Sequence, residues 1–466
     1  MNFRFLDKVF LIFVIILAIF FRTNHIEGKL TFEWDQSRDY DAASRIIQTG
    51  KLPLLGPVVR GDIGGFYLGP LYYYLVTPLY SLSGGNPLAL SVVGVGMDLL
   101  VIVLLYHLLK KYVSVSVAMI AVLMYAGSPL IIRDSYTPWN VSFISTWVVL
   151  FLTSLSRMVE TVRFRYKFAT AFLASLTSNI HLSLIPVVSI LVLLNLKSFI
   201  RLTLKQYLWL LLAFLLPLST LIYSDATHSL ENLRLFKQFM LTVTDKSGGI
   251  VPITQLVLEK YGYTIGRLLT GEPLTYLGWL ITTITMLYAL FKKPSQPLVR
   301  FSLLTILSVI LSLIYYHDFD FAEYYFMPAY IPTIILVSMY LGSLVQNTRK
   351  YFQYLLVVTA ACVYLYLGWT VRSEPISPYS LTVKREVVSE LKTLGYPVEV
   401  RTKLPRDRNT AFPYLLQNIG VVSDHAAPRK AYIYESSNLE VIAPPEARSI
   451  ILDKPIQAFK LIIFSN

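Results

Sequence analysis

Apolar stretches long enough to cross a membrane recur along most of this chain, with short clusters of lysine and arginine between them. A crossing helix needs about 20 apolar residues, somewhat fewer inside a bundle. Eleven stretches qualify: 6–22, 87–109, 113–132, 139–157, 168–181, 182–196, 207–223, 273–291, 299–316, 327–346 and 351–370. The basic clusters are Arg4/Lys8, Lys110/Lys111, Arg157/Arg163/Arg165/Lys167, Lys197/Arg201/Lys205, Lys292/Lys293/Arg300 and Arg349/Lys350. Basic loops stay on the cytoplasmic side. The stretch 168–196 is flanked by basic clusters at both ends, so it must cross twice, turning near Ser178-Asn179-Ile180-His181. With that hairpin all six clusters fall on one side, and the N-terminus is expected inside.

Composition agrees. Of 466 residues 55% are hydrophobic and 15% charged, far from a soluble domain. The net charge of +13 sits between apolar runs, so it orients the chain in a bilayer and is not read as a nucleic-acid surface. Cys362 is the sole cysteine, which excludes an intramolecular disulfide. Arg4 and Lys8 before Val9–Phe21 imitate a signal peptide, but no small-residue cleavage site follows, so a retained first helix is expected.

The expected outer segments are the first loop 23–86, the loops 132–138, 224–272 and 317–326, and the tail from 371. The tail has mixed charge and the pattern of a small α/β domain: a helix over Lys384–Leu394, and strands at Pro397–Val400, Ala431–Tyr434, Ser449–Leu452 and Phe459–Phe464. It carries no recognisable chemistry.

The first loop does. Trp34-Asp35-Gln36-Ser37-Arg38-Asp39-Tyr40-Asp41 places three carboxylates beside a membrane segment, where acids are costly without partners or work. From Asp35 to Thr49 the spacing predicts an amphipathic surface helix, with Asp35 near its N-cap and Gly50 just past its end. Asp35 and Asp39 share a face with Arg38 beside them. The simplest reading is a helix cap and an ion pair; the alternative is a site. Downstream, Gly69-Pro70-Leu71-Tyr72-Tyr73-Tyr74-Leu75 reads either as an interfacial tyrosine belt or as a cleft wall.

An early outer acid, an amphipathic helix ending in Gly-Lys-Leu-Pro (50–53) and then Gly-Pro-Leu-Tyr-Tyr-Tyr-Leu (69–75) resemble the membrane glycosyltransferases of the GT-C fold. The nearest branch is that of the dolichyl-phosphate-mannose-protein mannosyltransferases and the aminoarabinose transferases (ArnT-like). In that family an Asp-Glu pair opens the first outer helix and a Pro-Pro-Leu-Tyr-Tyr-like segment follows. Here Gln36 replaces the Glu, Gly69-Pro70 replaces Pro-Pro, and Leu68 stands where a Lys is common. The match covers residues 1–200 well and later spans only in layout.

The resemblance implies an all-α polytopic domain over 1–370, with about eleven spans and outer amphipathic helices, and a small α/β domain over 371–466. It implies an inverting glycosyltransferase, moving a hexose or pentose from a polyprenyl-phosphate donor to a hydroxyl of a protein, glycan or lipid. Asp35 would be the general base on the extracytoplasmic face of the plasma (inner) membrane. Candidate contacts for substrate or lipid phosphate are Arg38, Asp39, Arg60, Tyr72, Tyr73, Arg133, Asp134, Asn140, His181, His317, Glu323 and Tyr324, with Arg267 a further outward cation. Residue by residue there is a plain structural alternative: Arg133 pairs with Asp134, Asn140 caps a helix, His181 is structural. No cofactor is implied; Asp35, Asp134, His317 and Glu323 would suit a divalent metal, as some branches use. A lipid-linked oligosaccharide polymerase or ligase, or a flippase-type transporter, is the competing class. Flippases would put charges inside spans, where only Asp98 falls here, and ligases concentrate their chemistry in a late loop.

Overall fold

The computed structural model describes residues 3–59, 65–161, 163–200, 202–243, 249–292, 296–316, 321–345, 350–393, 399–403, 411–418, 429–435 and 449–465. The chain opens with α1 (Phe3–Thr23), the single turn α2 (Ile26–Lys29), α3 (Trp34–Thr49) and α4 (Leu71–Leu82). There follow α5 (Leu90–Tyr112), α6 (Val115–Gly127), α7 (Pro129–Asp134), α8 (Ile144–Glu160), α9 (Phe164–Leu176), α10 (Leu184–Leu193) and α11 (Leu204–Thr227). Then come α12 (Glu231–Val243), α13 (Ile250–Thr270), α14 (Thr275–Lys292), α15 (Pro297–Tyr316), α16 (Met327–Leu344) and α17 (Lys350–Arg372). The tail holds α18 (Leu381–Thr393), β1 (Glu399–Lys403), α19 (Ala411–Asn418), β2 (Arg429–Glu435), β3 (Ser449–Ile456) and β4 (Phe459–Ser465).

Among the described residues six helices are long and apolar enough to cross a membrane, and a seventh crossing arises if α13 and α14, bent by 85°, count as one. The chain is a multi-pass membrane protein. Several expected spans are shorter than a bilayer. α9 has 13 residues and α10 has 10, about 20 and 15 Å long. The expected span 113–132 stops at α6, because Pro129 cannot donate its missing N–H to the ladder. The expected loop 224–272 is corrected: it contains α12 and the 21-residue α13. Glu259, Lys260 and the glycines of α13 had hidden its apolar face.

α6 and α16 form the centre. Ile120–Gly127 and Met327–Met339 are buried without a break, as in helices apolar all round. α11 buries only Ala213 and Ser224, which leaves most of it for lipid. The break at Ser128-Pro129 frees the last carbonyls of α6. Fully buried Arg22 takes up one of them, donating to Ala126 O at 2.8 Å, and binds Asp98 at 2.6 Å. Tyr125 donates its hydroxyl to the other oxygen of Asp98 at 2.8 Å. The one charged residue expected inside a span is therefore paired, as burial demands.

In the tail the sheet order is β1-β2-β4-β3, with β1 and β2 parallel and the other pairs antiparallel. The expected helix and the strands at 431–434, 449–452 and 459–464 are present; residues 397 and 398 of the other expected strand lie outside the described residues, and β1 runs on from Glu399 to Lys403. α19 was not foreseen, being eight residues long with Pro413 inside. The tail's core of Val387, Leu391, Leu415 and Ile463 runs without interruption into Tyr40 and Ile46 of α3 and Tyr72 and Val76 of α4.

Candidate active site

α3 begins at Trp34, with the Glu33 N–H donating to Gln36 Oε1 at 2.9 Å. It ends where Gly50 takes a left-handed φ of 66° and closes on Ile46 O at 2.8 Å. Asp35 is inside the first turn, not at the cap, where the helix dipole favours a carboxylate. Arg38 joins the two acids expected on its face. Its Nη1 donates to Asp35 Oδ1 at 2.6 Å, while Nε and Nη2 both donate to Asp39 Oδ1 at 2.9 and 2.7 Å. Both simple readings of this segment therefore merge: each acid pairs with Arg38. They differ in exposure, since the Asp35 side chain is 28% accessible and that of Asp39 is 0%. Asp41 is exposed, off this face.

Two carboxylates on one guanidinium leave a net negative charge in a poorly solvated place. Burial pushes Asp39 up to about 7 against the opposing pull of Arg38, with Asp35 adding to the rise. Asp35 is also raised by burial, less the effect of Arg38. Asp39 is the more enclosed of the two, so burial disfavours its charged form more. Tyr72 and Tyr73 of α4 pack over this triad. Tyr72 is buried, and its hydroxyl and Asp39 Oδ2 are both enclosed without a hydrogen-bond partner among the described residues.

Two further segments meet the α3–α4 pair, and a third packs against those two. Gln36 Nε2 donates to Thr137 O at 3.4 Å, and Gly69 N donates to Ser178 O at 2.9 Å. A side chain at Gly69 would collide with Asn179, whose Oδ1 accepts from Leu71 N at 3.4 Å. Asn140 does not cap: it donates Nδ2 to Ile180 O at 2.6 Å, tying the 135–140 turn to the hairpin apex. Trp139 meets Tyr324 edge-on at 4.9 Å, and His181 meets Tyr324 and Tyr325 at 5.5 and 5.2 Å. The hairpin apex thus sits where 168–196 was expected to turn.

His181 is buried, accepts from Ser183 N at Nδ1 (3.2 Å) and is pushed by burial down to about 4. It is neutral at physiological pH and can offer a phosphate only an Nε2 proton.

A second charged group lies beneath this layer. Arg133 does not pair with Asp134; it reaches Glu374, with Nη2 to Oε1 at 2.5 Å. Arg267 binds Glu323. Asp134 Oδ2 and Glu323 Oε1 are both enclosed with no partner among the described residues. Burial first, then the charges of Glu323 and Asp98, push Asp134 up to about 8. It borders a cavity of about 30 Å³ whose lining includes Asp98, Tyr125, Ser135, Ser142 and Tyr330, room for about one water.

Arg60 and His317 lie outside the described residues. The other expected positions converge on this end of the bundle, though in two groups: Asp35, Arg38, Asp39, Tyr72 and Tyr73 in one, Arg133, Asp134, Glu323 and Arg267 in the other, with Asn140, His181 and Tyr324 between. Among the described residues no three His, Cys, Asp or Glu side chains gather to hold a metal. Of the expected metal set, His317 lies outside the described residues, while Asp35 binds Arg38 and Glu323 binds Arg267. Asn179, Tyr325 and Glu374 were not foreseen as contributors. Asn179 was visible only as part of the turn, and Glu374 is 241 residues from the arginine it holds.

No protein-family model matches the sequence, and no curated protein matches it. Among solved structures, ArnT from Cupriavidus metallidurans bound to undecaprenyl phosphate superposes with a TM-score of 0.64 at 12% identity, covering 98% of this chain and 97% of its own. Its apo state gives 0.63 at 13% identity with the same coverage. An oligosaccharyltransferase from Archaeoglobus fulgidus, in complex with zinc and sulfate, aligns more loosely, at 0.46 and 13% identity over 90% of this chain and 58% of its own.

Proposed function

On the premise that the chain has the GT-C fold in the form seen in ArnT, we propose that it transfers a sugar from a polyprenyl-phosphate donor to an acceptor hydroxyl, with inversion. The observation that carries this reading is the Asp35–Arg38–Asp39 triad, partly open at Asp35, on the layer where α3, α4, the 135–140 turn, the 177–183 apex and the 323–326 turn meet. The acceptor oxygen bonds to the anomeric carbon as the carbon–phosphate oxygen bond breaks. The phosphate leaves with the electron pair, and the hydroxyl proton passes to Asp35. Asp39, enclosed and raised to about 7, keeps its proton near neutrality, so that Asp35 is the ionised member and the base. Arg38 holds Asp35 in line. Arg267, Arg60 and the Nε2 proton of His181 are the donors proposed for the departing phosphate.

The site and the tail are assigned to the extracytoplasmic face, the N-terminus to the cytoplasm, and the chain to the plasma (inner) membrane, with eleven passages counting α1, the bent α13–α14 pair as one, and the short α6, α9 and α10. The boundary near residue 370 separates the bundle from the tail. Donor lipid and acceptor are the partners of this site.

A base must be ionised to act, so turnover should fall as pH drops through the Asp35 pKa. Burial raises that value, placing the acid limb above the ordinary carboxylate range of about 4. Asp39→Asn mimics the protonated form of Asp39, so Asp35 should keep its pKa. A pH–rate profile is expected to hold the acid limb where the wild type has it, with the plateau retained. Loss of turnover in Asp39→Asn, or a limb displaced by about a pH unit or more, contradicts the assignment of Asp35 as base.

A further inference from the structure

We propose that the C-terminal segment is a clamp that aims Asp35, with Lys384 as its positioning residue; the inference rests on Asp35 being the base. The chain from α2 into α3 is held by the tail along its carbonyls. Ser377 N donates to Gly28 O at 2.8 Å and Leu381 N to Leu30 O at 2.6 Å. Lys384 is wholly buried, and its Nζ donates to Thr31 O at 2.8 Å and Phe32 O at 3.2 Å. At Phe32 the backbone turns through a left-handed φ of 48°, a conformation costly for a side chain with a Cβ, and α3 starts two residues later. The turn is over-determined by its surroundings, and those surroundings are the tail.

The grip has a second point. Tyr414 of α19 meets Phe32 at a tilt and Tyr40 edge-on, at 5.4 and 5.7 Å, and donates its hydroxyl to Gly85 O, just beyond α4, at 2.6 Å. Arg385 of α18 binds Glu27 and donates to Asn86 Oδ1 at 2.7 Å. Both ends of the α3–α4 pair, which bears Asp35, Arg38, Tyr72 and Tyr73, are thus fixed from the tail. A buried ammonium bridging two carbonyls next to a left-handed residue sets the angle at which α3 leaves the bundle. A displacement near 1 Å at a reacting group can cost about a hundred-fold in rate.

The test compares Lys384→Met and Lys384→Arg with Lys454→Met in the full-length protein. Lys454 binds Glu390 at 2.5 Å on the sheet side of α18, a contact in the same segment with no link to residues 28–32. Lys384→Met is expected to lower turnover by about ten-fold or more, with the Kd for polyprenyl phosphate within about two-fold. It should also speed amide exchange of residues 29–40 and shift the acid limb of the pH–rate profile. Lys384→Arg should recover most of the rate, and Lys454→Met should leave all four readouts unchanged. Unaltered exchange and turnover in folded Lys384→Met overturn the clamp. Faster exchange in a protein whose wild type transfers no sugar would leave the clamp standing and end the enzyme assignment instead. If Lys384→Met does not fold, Tyr414→Phe, lacking only the hydroxyl to Gly85, should show the same changes in lesser degree, and their absence overturns the proposal.

Discussion

Asp35→Ala should lower sugar transfer by about 100- to 10,000-fold, the range that a positioned general base supplies, while the protein stays folded and retains its affinity for polyprenyl phosphate. The asymmetry of the triad is the reason. Arg38 places Nε and Nη2 on Asp39 and only Nη1 on Asp35, so losing Asp35 leaves both hydrogen bonds between Arg38 and the buried acid in place. Asp35 is also the more accessible acid, so its removal leaves no enclosed carboxylate without its cation. Turnover and lipid affinity measured on one preparation separate the two effects. Asp41→Ala is the matched control, an exposed acid on the same helix that should change neither. Equal loss in both variants would point to surface charge near the membrane and not to a base.

Arg38→Met should have the largest effect on stability. It leaves Asp39 fully enclosed without a cation, which costs about 3–5 kcal/mol where the carboxylate stays charged and less where it takes up a proton. Thermal unfolding should show the loss, and Arg38→Met combined with Asp39→Asn should recover most of it. The pH dependence has a definite sign. Asp39 titrates at about 7 in the folded chain but near about 4 when unfolded, so between these values the folded state holds more protons. Its contribution is therefore neutral at low pH and becomes unfavourable as pH rises through that window. Without Arg38, which pulls the value down, the folded pKa climbs further. The defect of Arg38→Met should be small near pH 4 and grow towards pH 8. A defect that is independent of pH, or largest in acid, would mean that the guanidinium is holding something other than Asp39.

Local sequence made a good part of this visible. The acids of α3 fall four apart with an arginine between, so helical periodicity alone brought them together. Gly50 stood where a helix needs a left-handed residue, and the basic clusters demanded a turn near Ser178–His181, where the apex lies. Several features depended instead on partners remote in sequence. Arg133 beside Asp134 looked like a pair, yet burial of Asp134 and the reach of Glu374 divide them. Asn140 looked like a cap but spans to Ile180. α13 escaped notice because Glu259 and Lys260 interrupt its apolar run in sequence though not its buried face, and its bend against α14 has no signature in hydropathy. The tail showed its strands but not its docking on α3, because Lys384 reads as one more exposed lysine until the carbonyls of Thr31 and Phe32 are seen beside it.

The most direct measurement is of polyprenyl phosphate itself, the product common to any sugar and any acceptor. Purified protein in liposomes would be given a panel of polyprenyl-phosphate-linked hexoses and pentoses together with a membrane extract as the source of acceptors. Release of free polyprenyl phosphate would be followed with labelled sugar. The wild type is expected to release it from at least one donor, in step with transfer of the label, and Asp35→Ala to release essentially none. Release by Asp35→Ala at the wild-type rate, or no release from any donor by protein that binds polyprenyl phosphate, would contradict the account.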